Sequence, residues 1–338
     1  MMPGQFSFRL VRAGGPLNTE VTEAYVGSAV LALPELAAWP EVASLFVGDG
    51  NENHVDWEMP LVVCRAVGGD EECVLPAVAG IACVRASCIL VDDILDEDPD
   101  GAYVEMGSGR AANLALALLA AGFALTERCP VDPLRQAALS ASLAHMALVG
   151  ASGQELDSQN LPGEEHYWRV VQAKSRPFYA GAFEMGALAG GAAPDLARSL
   201  YDLGGLVGEI VQILDDLEDT FQVPASPDWQ QSYKSLPILF AETADHPQRE
   251  RFAALMSRIS DPEALREAQE ILIRCGAVSY CVYHLMQRQL SAQELLARLS
   301  LANPALLSEL LDYQIKPLVE WLHRMGIAIP PGMEERLL

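Results

Sequence analysis

Basic residues are scarce in this chain: 22 Lys and Arg stand against 46 Asp and Glu, a net charge of −24 over 338 residues. Without a basic footprint to neutralise phosphates, nucleic acid and anionic membrane surfaces are excluded as partners. Metal-binding patterns of cysteine and histidine are lacking too. The seven cysteines contain no CxxC pair and the six histidines no HExxH, which argues against zinc. Cys64, Cys73, Cys83, Cys88, Cys129, Cys275 and Cys281 lie mostly among apolar neighbours, where a thiol behaves as a small hydrophobe. With an odd count and no signal segment, the expected compartment is a reducing one, the cytoplasm. No stable membrane insertion is expected either. The longest apolar stretch, Ala111 to Thr126, is bounded by Arg110 and Glu127. It falls short of the roughly 20 residues of a membrane span and predicts a buried core helix.

Strand-like alternation is also scarce, and apolar residues recur at helical spacing nearly throughout. Helical segments are predicted over 74–96, 111–128, 134–149, 164–192 and 196–220, with Pro177 kinking or breaking the fourth. Asp261 before Pro262 reads as an N-cap with proline at the first helical position. Ser291 with Glu294 fits a capping box ahead of Leu295 and Leu296. Loops are expected at 48–53, 99–109, 151–163 and 223–232, each rich in Gly, Pro, Ser or acids. No linker-like shift in composition and no fixed-period repeat occurs. The expectation is an all-α chain, one large helical bundle over residues 1–338, with 1–20 as a loosely ordered extension.

Two carboxylate clusters stand out. Cys-Ile-Leu-Val-Asp92-Asp93-Ile-Leu-Asp96 closes one apolar helical run, and Val-Gln-Ile-Leu-Asp215-Asp216-Leu-Glu218-Asp219 closes another. At 100° per residue, positions i and i+4 share a face and i+1 lies beside them, so each DDxxD is predicted to gather three acids on one patch. Like charges so placed repel, and acids in a last turn oppose the helix dipole. Such an arrangement calls for a cation. Oxygen-only ligands point to Mg2+ or Mn2+, which shares its shell with substrate phosphates. A single DDxxD is often no more than a solvated acidic helix end. Two copies, 123 residues apart (215 − 92), are harder to explain that way.

These motifs resemble the two aspartate-rich motifs of the polyprenyl synthetase (isoprenyl diphosphate synthase) family, whose members share the class I isoprenoid synthase fold. The likeness runs from about residue 55 to about residue 320. It takes in Gly153-Gln154 with Asp157, Lys174-Ser175 ahead of Gly186-Ala187, Gln212-Ile213, Lys234-Ser235-Leu236-Pro237, and Gly276-Ala277 with Leu307 to Tyr313. The resemblance implies an Mg2+-dependent enzyme acting on a prenyl diphosphate. In it Asp92, Asp93, Asp96, Asp215, Asp216 and Asp219 hold metal, while Lys174, Lys234 and Gln212 contact the diphosphate and its metals. It places Gln154 in the substrate site and implies a homodimer. It also puts the fourth and fifth residues before the first aspartate, Cys88 and Ser87, at the floor of the chain pocket; both are small, so a C15 or C20 chain is expected to fit.

The cations with which the family's elongases hold isopentenyl diphosphate are missing. One set becomes Asp56, Trp57 and Met59, and the stretch after the first motif reads Asp98-Pro99-Asp100-Gly101-Ala102. Arg85 replaces a family histidine. Acids where a diphosphate would sit turn charge-assisted bonds into repulsions. Three readings follow. The first, narrowly favoured, is a terpene synthase that cyclises its own cation, with Arg176, Phe178 and Tyr179 beside the reacting carbon and the aromatic faces stabilising charge; the low aromatic content of 7% counts against it. The second is a prenyltransferase to a different acceptor, with Arg85 or Arg110 as its anchor. The third is a non-catalytic partner subunit, which would have no use for intact aspartate motifs.

Overall fold

The computed structural model describes residues 19–46, 55–98, 100–229 and 235–325, giving only the backbone for 19–21 and 55–57. Along the chain run α1 (Thr19–Leu31), α2 (Pro40–Phe46), α3 (Val55–Ala66), α4 (Glu71–Leu95), α5 (Tyr103–Met106), α6 (Ser108–Thr126), α7 (Pro133–Asp157), α8 (Glu164–Ala173), α9 (Ser175–Ala189) and α10 (Pro194–Phe221). After a 3-10 turn at Pro227–Trp229 come α11 (Leu236–Thr243), α12 (Arg249–Met256), α13 (Pro262–Cys275), α14 (Ala277–Leu296) and α15 (Pro304–Met325). No strand occurs among the described residues. The expected N-terminal extension lies almost wholly outside them, as does the expected loop 48–53.

Local chemistry explains most boundaries. Asp70 caps α4 by accepting from the Glu72 amide, and Glu71 and Glu72 set negative charge against the helix N-terminus. Asp261 caps α13 as its sequence predicts, with Pro262 at the first helical position. The break of 164–192 falls at Lys174 rather than at Pro177. A proline in the first turn of α9 forgoes an N–H that has no intrahelical partner there, while its ring would clash with a helical carbonyl four residues earlier. Three expectations fail. Ser291 does not start a helix: it lies inside α14, and its hydroxyl donates to the Gln287 carbonyl one turn back. The loop foreseen at 151–163 begins only after Asp157, so Gly153, Gln154 and Asp157 sit on the last turns of α7. The loop at 99–109 gives way to α5 and the start of α6.

Two apolar cores meet along shared helices. The first gathers residues of α1–α4, α6, α7 and α9 with Ala292, Leu296, Leu307, Leu310 and Leu311, and the second those of α8, α11–α13 and the remaining buried positions of α14 and α15. Helix α10 serves both: Val207 and Val211 face the first, and Ile210, Ile213, Leu214 and Leu217 the second. Within the first core, α4 and α6 touch backbone to backbone. A Cβ on Gly80 would lie 2.7 Å from the Gly122 carbonyl, and one on Gly122 would lie 2.8 Å from that of Gly80. By length and hydropathy α4 and α6 match membrane spans, yet α4 is packed in this core. Helix α6 is a core helix on one face only, and leaves Leu116 65% exposed.

One buried group is poorly accommodated. Glu58, on α3, is 1% exposed and neither carboxyl oxygen has a hydrogen-bond partner. Burial, and then Glu23 on α1, push its pKa from 4.5 to about 7. The folded state therefore favours the protonated acid, and the penalty is absent at pH 4.5, grows toward 7 and is complete above it. Glu58→Met should raise stability by about 3 kcal/mol more at pH 8 than at pH 4.5, as read from denaturant midpoints at the two pH values.

Candidate active site

The C-terminal ends of α4 and α7, the start of α9 and the last turns of α10 surround a cavity of about 420 Å3. Its mouth carries Asp92, Gln154, Lys174, Gln212 and Asp215. Its walls include Arg85, Ser87, Cys88, Phe178 and Tyr179, together with Leu119, Met146 and Val211. Residues scattered over nearly 130 positions thus meet at one opening.

Two details of backbone packing build the mouth. The first is Gly153. A Cβ there would lie 2.5 Å from the Ala173 carbonyl carbon, so only glycine lets α7 press against the break between α8 and α9. One turn on, Asp157 then reaches Lys174, with Oδ2 accepting from Nζ at 2.8 Å. The second is the break itself, which aims Lys174 at the first motif: Nζ lies 3.6 Å from Asp92 Oδ2. Gln154 Nε2 reaches Asp96 Oδ1 at 3.5 Å.

Each DDxxD divides by face. In the first, Asp92 and Asp96 share the Lys174 side, while Asp93 packs its Cβ against the Gly101 turn and lies near Tyr103. In the second, Asp215 is exposed to the cavity and Asp219 is half-buried one turn on, accepting from Gln222 Nε2 at 2.8 Å. Asp216 turns inward: it is 4% exposed, Oδ1 accepts from Gln212 Nε2 at 2.9 Å and Oδ2 from the Leu236 amide at 2.8 Å. Contrary to the expectation of three acids on one patch, one acid of each motif lines the cavity, Asp92 and Asp215, with Asp96 and Asp219 one helical turn beyond them. The 100° step carries the middle residue onto the packed side of the helix.

The electrostatics fit a cation-binding mouth. Burial raises Asp92 to about 6 against the pull of Lys174, and the nearby Asp96 and Asp157 add to the rise. Asp96 is raised for similar reasons. Burial together with Asp228 and Asp216 brings Asp219 to about 7. Burial works to lower Lys174, but Asp92 and Asp157 overcome it and hold the ammonium charged. Among the described residues, no group of three or more His, Cys, Asp or Glu side chains is disposed to hold a metal ion by itself. Asp92 and Asp215 on one cavity fit an ion that draws the rest of its oxygen shell from a substrate and water.

Other expected residues fall less evenly. Lys234 and the Asp56 and Trp57 side chains lie outside the described residues. Met59 is fully buried in the core. Arg110 is spent on Glu41, with Nη2 2.6 Å from Oε1. Arg85 lines the cavity with its guanidinium 5.3 Å from the centroid of the Phe178 ring. Ser87 lines the cavity while its hydroxyl donates to the Ala115 carbonyl at 2.8 Å. Arg176 is not among the residues that line the cavity: Nη1 is 2.7 Å from Oε1 of buried Glu209, whose Oε2 accepts from Arg288 Nε at 2.8 Å. Sequence reading quoted Asp157 within a motif but gave it no task. It missed Leu119 and Met146, which distant helices bring in. A glutamate inside the run Leu206-Val207-Gly208-Glu209-Ile210-Val211 was the available sign that Arg176 had a buried partner.

Comparison with known proteins supplies a family. The polyprenyl synthetase family model matches residues 59–272. The geranylgeranyl diphosphate synthase of Methanosarcina mazei is 27% identical over 186 residues, 52% of this chain and 57% of that enzyme, so the chain spans little more than half of that relative. A short chain isoprenyl diphosphate synthase of Methanothermobacter thermautotrophicus is 27% identical over 238 residues, 66% of this chain and 73% of the enzyme. Among solved structures, a polyprenyl synthetase from Streptomyces coelicolor superposes with a TM-score of 0.74 at 19% identity, over 90% of this chain and 98% of that one. A Caulobacter crescentus polyprenyl synthase, complexed with calcium and isoprenyl diphosphate, gives 0.74 at 22% identity over 93% and 99%. At these identities the superpositions establish a shared fold.

The geometry separates two neighbouring cations. Arg176→Met should cost about 2 kcal/mol of stability by leaving Glu209 to Arg288 alone, with kcat within threefold of the parent. For the activity proposed below, Lys174→Met should lower kcat/KM for an allylic diphosphate by at least 100-fold, with a smaller effect on the melting temperature. Steady-state kinetics and thermal melts on both variants check the contrast.

Proposed function

The chain belongs to the polyprenyl synthetase family, and on that premise we propose that it ionises an allylic prenyl diphosphate of C15 or C20 and passes the prenyl group to an acceptor other than isopentenyl diphosphate. The observation that carries this reading is the mouth itself, where Asp92 of α4, Asp215 of α10 and Lys174 line one largely apolar cavity. Asp92, Asp96, Asp215 and Asp219 would hold Mg2+ (or Mn2+), which supplies positive charge for the departing diphosphate. Lys174 can move from Asp157 to the diphosphate and take up charge as the C–O bond breaks, its electron pair leaving with oxygen. The cavity walls, with Val84, Leu119, Met146 and Val211, keep water from the cation.

Transfer is favoured over cyclisation by Arg85. Its guanidinium already covers the Phe178 ring, the aromatic face that would otherwise serve a migrating carbocation. A second positive charge in the same cavity opposes a cation that folds back into it. The same arginine suits an acceptor bearing negative charge. Cyclisation remains the second reading, on one observation: Met59 and Glu58 are buried where the family's acceptor clamp would lie. Ser87 and Cys88 support room for a chain of at least C15, since both are small and line the wall.

The deciding assay incubates purified protein with C10, C15 and C20 diphosphates, with and without isopentenyl diphosphate, and identifies products. The expected outcome is Mg2+-dependent release of diphosphate, isopentenyl diphosphate left unconsumed, and linear alcohol that disappears when a cell extract supplies an acceptor. Cyclic hydrocarbon would decide for the synthase, and a longer linear diphosphate for ordinary elongation. Turnover undiminished in EDTA would overturn the whole reading. Ser87→Phe should shift preference toward shorter chains.

The protein is also proposed to act as a cytoplasmic homodimer. Its seven cysteines carry free thiols, in keeping with a reducing compartment, and the neighbouring helices α6 and α7 leave Leu116, Leu134 and Leu148 at least 65% exposed. Some relatives are subunits of unlike pairs, among them the small subunit of a heterodimeric geranylgeranyl pyrophosphate synthase from Arabidopsis thaliana. Light scattering should give twice the 36.5 kDa chain mass, and Leu116→Glu with Leu148→Glu should halve it. A parent protein that is already monomeric would refute the dimer.

A further inference from the structure

Asp216 has the wrong surroundings for a metal ligand. Its carboxylate is 4% exposed, and each oxygen already receives a donor from the protein. Besides Tyr167, which also bonds this carboxylate, the donors lead in two directions. Gln212 Nε2 bonds Oδ1, and Gln212 Oε1 in turn accepts from the Ser175 hydroxyl at 2.5 Å. Ser175 is the first residue of α9, directly after the break at Lys174. On the other side, Oδ2 accepts from the Leu236 amide, the first residue of α11. That amide is one of the donors a helix start leaves without an intrahelical partner, so Asp216 caps α11 from a different helix. A buried bond one turn on strengthens the junction: the Thr220 hydroxyl meets that of Ser235 at 2.9 Å, with 0% and 1% of the two residues exposed.

We propose that Ser175, Gln212 and Asp216 are positioning residues, a hydrogen-bonded relay running from the cavity lining to buried Asp216 that fixes Lys174 and the start of α11 relative to Asp215, and that Asp216 binds no metal. The inference rests on the functional reading above for its kinetic consequence, but the relay itself can be tested without turnover. Three segments meet here with no covalent link nearby: the α8–α9 break, the end of α10 and the start of α11. Lys174 and Asp215 both line the cavity, from two of them. Helix α10 holds Asp215 and Asp216 on adjacent positions, so the carboxylate facing inward sets where the one facing outward sits. Uncharged amide and hydroxyl groups at Gln212 and Ser175 suit this task, because they register position without adding charge to a crowded mouth.

Two variants separate positioning from metal ligation. Asp216→Asn keeps the shape, but its single carbonyl oxygen cannot accept from both Gln212 and Leu236. Native-state amide exchange at Leu236 should quicken at least tenfold in Asp216→Asn and stay unchanged in Asp215→Asn. Calorimetric affinity for inorganic diphosphate with Mg2+ should behave in the opposite way, falling at least tenfold in Asp215→Asn and less than threefold in Asp216→Asn. Ser175→Ala, a gentler change in case Asp216→Asn folds poorly, should lower kcat by about tenfold with KM within threefold, and Ser175→Thr, which keeps the hydroxyl, should restore it. Slow exchange at Leu236 in Asp216→Asn, or a loss of diphosphate affinity there equal to that of Asp215→Asn, would overturn the relay. If Asp215→Asn binds Mg2+-diphosphate as the parent does, the functional reading fails instead, and the Leu236 exchange still judges the relay.

Discussion

Everything at the mouth of the cavity follows from gathering carboxylates where water is scarce. Asp92, Asp96 and Asp219 are raised toward neutrality because burial and like charge both oppose their ionised forms. The fold offsets this only in part. Lys174 takes up Asp157 and Asp92. The arrangement is therefore poised for added positive charge. It would be a liability in a protein with no ligand, and it becomes an advantage once a cation and an anionic substrate enter together.

Much of this was legible in the sequence, and the limits have physical causes. Helical periodicity gave the architecture, and the two DDxxD motifs led to the cavity that Asp92 and Asp215 line. Spacing could not assign the middle acids. Asp93 and Asp216 differ from their neighbours by one residue, and what turns each aside is a tertiary partner: the Gly101 turn in one case, Gln212 and the α11 amide in the other. Arg176 misled for a similar reason. Proximity in sequence to Lys174 suggested a shared site, but a helix turns 100° between residue 175 and residue 176, and Glu209 lies on the far side. Ser291 shows the complementary error, a motif with capping chemistry that back-bonds within a continuous helix.

The cavity wall was partly readable. Ser87, Cys88 and Arg85 lie on the same helix as the first motif, so helical geometry places them beneath it. Leu119 and Met146 could not be found, because the contacts of α6 and α7 with α4 depend on close approaches such as Gly80 with Gly122. Glycine in a helix reads as a weakness from propensity alone. Here it is the condition for two backbones to touch.

The sharing of α10 between two cores has a mechanical consequence. A helix gripped on one side by Val207 and Val211 and on the other by Ile213, Leu214 and Leu217 works like a shaft held in two bearings. Any change of volume in either bearing moves the shaft, and with it the spacing between the acid pair of α10 and that of α4. Close-packed interiors transmit such displacements rather than absorbing them. The separation of the two acid pairs is therefore a property of the whole molecule, and drift in core residues far from the cavity is constrained by chemistry they never touch.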